Sequence, residues 1–185
     1  MITSYSEKWG TYGLFTVVPS LQATPDYTAG DVLFAPTEIS NFFKDKGSAA
    51  QIVSICIIDK QIVSTHEFTL YFTNSSTALG TPNATAGAVI GVLEEIQATI
   101  PIYDEDWIAG GGAGSVDLAN IATITSQQVN GSATVHRQGI GTIVKGSNWA
   151  GGNKTQSIYI SAIAGETMNV ASTSDLIIKI GVKYW

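Results

Sequence analysis

At 185 residues, with nine Lys/Arg, fifteen Asp/Glu and a formal charge of -6, the chain is the length of one domain, and an acidic balance without any Lys/Arg cluster argues against a nucleic-acid partner. Charged residues make up 13% and apolar residues 44%, against roughly 25% charge in an ordinary soluble domain, so the surface must be covered by Thr, Ser, Asn and Gly, as it often is where subunits meet. A single cysteine, Cys56, excludes an intramolecular disulfide, and no apolar run approaches the ~18 residues that would span a membrane as a helix.

In chain order, MITSYSEKWG lacks an apolar stretch with a cleavage site, so the expectation is a protein made in the cytosol without a secretory leader. The Asn-x-Ser/Thr sites at Asn74, Asn83, Asn130 and Asn153 then read as by-products of a Ser/Thr-rich surface. Residues 1–26 carry Trp9, Tyr12, Phe15, Val17 and Val18 with little periodicity, and Pro19 and Pro25 interrupt them. They predict an extended N-terminal arm that docks on its own domain or on a neighbouring subunit, since each large apolar side chain is worth roughly 1.5–3 kcal/mol on burial. On this expectation a chain without residues 1–20 still folds. Residues 27–185 form the single domain. Within it, Tyr27-Thr-Ala-Gly-Asp31 turns into a short strand, Val32 to Phe34, ended by Pro36, and Glu38 to Lys46 fits a short helix or a strand cut off by Gly47.

The stretch Gln51 to Ser76 organises the rest. Ile52, Val53, Ile55, Cys56, Ile57 and Ile58 predict a strand buried on both faces, with Cys56 a buried thiol. Phe68, Leu70 and Phe72 alternate with Glu67, Thr69, Tyr71 and Thr73, the pattern of a half-buried strand. Further on, Thr81 to Gly87 could hold a turn of helix, and Val89 to Ile100 a helical turn followed by a strand, because Gly87 and Gly91 weaken a longer helix. Asp104 to Trp107 and Gly110 to Gly114 make a long connection. Strands follow around Leu118 to Thr125, Val135 to Val144, Ser157 to Ile163 and Leu176 to Tyr184. The sum is an all-β, jelly-roll-like β-sandwich of about eight strands with one or two short helices.

Catalytic patterns are wanting. His66 and His136, the two histidines, have no metal-ligand spacing; Asp104-Glu105-Asp106 lacks the glycine and distal glutamate of a calcium loop; Gly110 to Gly114 precedes no Gly-Lys-Ser/Thr; and no serine sits in Gly-x-Ser-x-Gly. The expectation is a non-enzymatic protein with no catalytic residue, metal or cofactor. Trp9, Tyr12, Phe15, Trp107 and Trp149 are the candidate partner contacts. Trp107, Trp149, Tyr159 and Trp185, if exposed, could also stack on sugar rings, and Trp149, in Gly146-Ser-Asn-Trp-Ala-Gly-Gly152, is the best placed for that.

The succession of Tyr27-Thr-Ala-Gly-Asp31, Ile52-Val-Ser-Ile-Cys-Ile-Ile-Asp59, Phe68-Thr-Leu-Tyr-Phe-Thr-Asn74, Ile90-Gly-Val92, Ser157-Ile-Tyr-Ile160 and Ser172-Thr-Ser-Asp-Leu176 resembles a widespread family of tailed-bacteriophage virion structural proteins. The resemblance spans residues 24 to 183 and departs from the family pattern in the Gly110 to Gly114 loop and the first 20 residues. It rests on strand patterns rather than on chemistry. It implies a jelly roll of the capsid decoration kind, a cement or head-fibre protein that binds the major capsid protein on the capsid exterior of the virion and is assembled in the host cytoplasm. Such proteins on symmetric capsids are commonly closed oligomers, so a homo-oligomer, in particular a trimer, is expected. The alternative is a carbohydrate- or receptor-binding β-sandwich module of a virion.

Overall fold

A computed structural model of the chain describes residues 5–9, 11–60, 66–87, 93–108, 120–125, 141–146 and 154–185, with the backbone alone described at 5–9, 105, 108 and 120–125. The described strands are β1 (Tyr5–Trp9), β2 (Tyr12–Val17), β3 (Val32–Ile39), β4 (Ala49–Asp59), β5 (Phe68–Thr73), β6 (Ile96–Ile102), β7 (Trp107–Ile108), β8 (Asn120–Thr125), β9 (Ile143–Lys145), β10 (Ile158–Ala164) and β11 (Leu176–Tyr184). They pair antiparallel in two sheets. Sheet A runs β1-β2-β11-β4-β8-β7, with β9 also on β4, and sheet B runs β3-β10-β5-β6. The chain crosses between sheets at β2 to β3, β3 to β4, β4 to β5, β6 to β7, β9 to β10 and β10 to β11, giving the wound connectivity of a jelly roll rather than a meander.

The half-buried strand read from the sequence is β5. Phe68, Leu70 and Phe72 are buried, while Thr69 and Tyr71 are half-buried on the other face. β11 alternates likewise, sending Leu176, Ile178, Ile180, Val182 and Tyr184 into the core. At one end of the sandwich Phe15 stacks on Phe42, with ring centroids 5.0 Å apart, and Phe42 meets Phe43 edge-on at 5.2 Å. Two buried tyrosines tie loops to this core. Tyr27 donates its hydroxyl to the Leu33 carbonyl at 2.8 Å and accepts the Gln22 N–H, and Tyr184 donates to the Phe42 carbonyl at 2.9 Å. Burial pushes the Tyr184 phenol up to about 12. Gly13 leaves room for that phenol: a Cβ there would lie 2.6 Å from the Tyr184 hydroxyl.

Several expectations are corrected. The extended arm over residues 1–26 is not what forms: Tyr12–Val17 is a sheet strand, paired to β1 on one side and to β11 on the other, and its Phe15 and Val17 are fully buried. The first short strand is not ended by Pro36 but runs on to Ile39. β3 lies at a sheet edge, and its register with β10 slips between Phe34 and Thr37, so Pro36 sits in a bulge where its missing N–H costs no ladder bond. β4 is not buried on both faces. Its inner residues Ile52, Ile55 and Ile57 are buried, but Val53, Cys56 and Ile58 are half-exposed on the outer face, and Cys56 is no buried thiol. Residues 81–87 form β-bridges with Asp31 and Val32 instead of a helical turn. Asp104–Asp106 is a single 3-10 turn that Asp106 closes by accepting the Tyr103 N–H at 2.9 Å. The helical turn expected just before β6 falls mostly on residues 88–92, outside the described residues, as do residues 135–140 of the strand expected at Val135 to Val144. No helix among the described residues is long and apolar enough to cross a membrane.

Candidate functional site

Two places in the described structure gather features that a function could use. One is polar and largely buried. β4 ends at Asp59, His66 lies two residues ahead of β5, and Glu166 lies between β10 and β11. These three meet with His66 Nε2 at 3.3 Å from Asp59 Oδ2 and His66 Nδ1 at 3.9 Å from Glu166 Oε1, and the imidazole is 2% exposed. A carboxylate beside an imidazole is the orienting half of a hydrolytic triad. The other half needs a hydroxyl or thiol on the second nitrogen, and here that nitrogen faces a second carboxylate. Among the described residues no hydroxyl or thiol hydrogen-bonds either nitrogen, and no group of three His, Cys, Asp or Glu side chains is placed to hold a metal ion. The surrounding bonds are those of a tie between strands. The Trp107 indole donates to the His66 carbonyl at 2.9 Å, and Glu166 accepts the Glu67 N–H at 3.1 Å while Gly165 N–H bonds the Glu67 carbonyl at 2.8 Å.

The other place is apolar and open. On the outer face of sheet A a groove of about 270 Å³ is lined by Tyr12, Gly13 and Leu14 of β2, Val53 and Ser54 of β4, and Gly181 and Val182 of β11. Two backbone features make it. The register of β4 against β11 slips at Gly181/Val182, so Val53 is an extra residue and both Val53 and Ser54 stay out of the core. Opposite them Gly181 has no side chain to fill the gap, and a Cβ there would collide with Ser54 Oγ. Tyr12 and Leu14 remain 54% and 46% exposed beside it. Two residues either side of Gly181, Lys179 and Lys183 occupy the same outward face of β11. Neither lysine has an ion pair or hydrogen bond among the described residues. The groove is therefore an apolar floor framed by two cations, a surface suited to contact and poor in groups for catalysis.

The residues singled out in the sequence are scattered across this structure. Tyr12 lines the groove. Trp9 is its cross-strand partner in β1. Phe15 is in the core and has no surface to offer, contrary to its reading as a contact. Trp107 is corrected in the same way: it is 8% exposed, packs against Phe68 with ring centroids 6.4 Å apart and spends its N–H inside the protein. Trp149 lies outside the described residues. Leu14, Val53, Gly181 and the two lysines were missed. Gly181 was the available signal, as a glycine in the middle of the most regular strand of the chain. No protein-family model matches the chain, and no curated protein matches it.

Proposed function

We propose that this chain is a non-enzymatic structural protein of a tailed-phage virion, a capsid decoration protein of the cement or head-fibre kind that sits on the outer face of the major capsid protein shell as a homo-oligomer, a trimer on symmetric heads. The observation that carries the structural part is the groove. An apolar surface with exposed Tyr12 and Leu14 lies open on a sheet, whereas in the one histidine–carboxylate cluster among the described residues His66 and Asp59 are buried and only Glu166 reaches the surface. Sheets with an uncovered apolar patch serve contact between chains. The virion setting rests on the strand motifs around Asp31, Asp59, Asn74 and Asp175, which resemble those of phage virion proteins, and on a jelly-roll framework with 13% charged residues. Purified protein mixed with heads that lack it should co-sediment and saturate at a fixed ratio to the major capsid protein. Failure to co-sediment at any ratio contradicts the proposal.

A carbohydrate- or receptor-binding role is the second reading, favoured by exposed aromatic rings: Tyr12, which borders the groove, and Trp185, each of which could stack on a sugar. Saturable glycan binding that Tyr12→Ala abolishes, without any binding to heads, would select it.

A further inference from the structure

We infer that the groove on sheet A receives the Leu93–Glu94 corner of a second copy of this chain, so that subunits join head to tail. The inference deepens the homo-oligomer part of the proposed function and rests on it, while attachment to the shell plays no part.

The groove specifies its occupant by shape and charge. Its floor, at Gly181 and Val53, accepts an apolar side chain. Lys179 and Lys183, four residues apart on one strand and so about 13 Å along it, ask for carboxylates around that side chain. Among the described residues six large apolar side chains are exposed, and only two of them are followed directly by a carboxylate. Tyr103, before Asp104, belongs to a turn that its own N–H and the Asp106 carboxylate hold closed. Leu93 is 51% exposed, and Glu94 after it is exposed and Glu95 half-buried. It stands just ahead of β6, at the edge of sheet B, where a knob can project.

Knob and groove belong to different sheets, so the contact joins unlike surfaces and is heterologous. Repetition of such a contact closes a ring when the rotation between copies allows it and extends a filament when it does not. Since every copy carries -6 overall, copies repel at long range, and the local match of Lys179 and Lys183 with Glu94 sets which faces meet.

Light scattering on the eluting peak, over a range of micromolar concentrations, tests this with four variants checked for an unchanged circular dichroism spectrum. They are Leu93→Ser, Glu94→Lys, the double change Lys179→Glu with Lys183→Glu, and the triple change that combines both charge reversals. The wild type should elute as a multiple of 19.5 kDa, and the first three variants should dissociate at concentrations at least about tenfold higher than the wild type does, Leu93→Ser because apolar burial is lost and the two charge reversals because facing charges become alike. The triple change should regain assembly, which a merely structural defect cannot do. An oligomeric wild type whose mass the lysine reversal and Leu93→Ser leave unchanged overturns this interface and leaves the homo-oligomer standing. A wild type that is monomeric throughout overturns both; if the lysine reversal then also abolishes co-sedimentation with heads, the occupant of the groove is the shell.

Discussion

Leu70 and Thr69 are neighbours in sequence with opposite fates, and that difference can be measured. Leu70 is fully buried between the sheets, whereas Thr69 is half-buried on the outer face of β5. Leu70→Asp places an unpaired charge in an apolar site, which costs several kcal/mol, and insoluble protein is the expected result. Thr69→Asp should shift the urea midpoint by less than about 1 kcal/mol in stability, as surface changes usually do. Equal loss from the two would mean that the register of β5 is wrong. Tyr184 gives a pH signature. Its phenol is raised to about 12 by burial, so the folded state favours the neutral form. The stability this contributes is complete below the ordinary tyrosine value of about 10 and is lost as pH rises from there through 12. Tyr184→Phe should remove that alkaline loss, seen as a flatter thermal midpoint between the two values. Burial of Leu70 was legible because strict alternation names a face. Burial of Trp107 was not: Asp104, Glu105 and Asp106 beside it suggest a solvated loop, yet Asp106 closes the turn and directs the indole onto Phe68.

Strand β2 shows what the sequence hides at the level of elements. β5, β10 and β11 stand out by their period of two or their β-branched content, and they occupy the expected places. β2 does not stand out, because Tyr12 and Leu14 on its outer face are as apolar as Phe15 and Val17 on its inner one, and Gly13 breaks the pattern. The alternation that distinguishes a strand from an arm is therefore missing, even though the segment pairs along its length with β11. The bulge at Val53 is equally silent, since a register slip is decided by the partner strand and leaves no local mark. A truncation follows from this geometry. Removal of residues 1–18 takes away Phe15 and Val17 and opens the hydrogen-bonding edge of β11, so insoluble protein is expected on expression, where an arm would have left a folded domain. Soluble truncated protein with a native near-ultraviolet spectrum would return the segment to the status of an arm.

At the scale of the molecule, the all-β class and the two-sheet sandwich could be read from short strands punctuated by Gly, Ser, Asn and Pro. The groove on the outer face of sheet A could not. It arises where β2, β4 and β11, distant in sequence, are laid side by side, and its emptiness depends on Gly181 and on a bulge. That emptiness, with exposed Tyr12 and Leu14 around it, is the feature on which the proposed assembly rests. A virion component is recognised most directly by the content of the particle. Quantitative mass spectrometry of virions purified through a density gradient should find this chain at a constant ratio to the major capsid protein, in amounts befitting a lattice component and open to labelling from outside. Its absence from such particles, or a trace level that varies between preparations, would contradict the account.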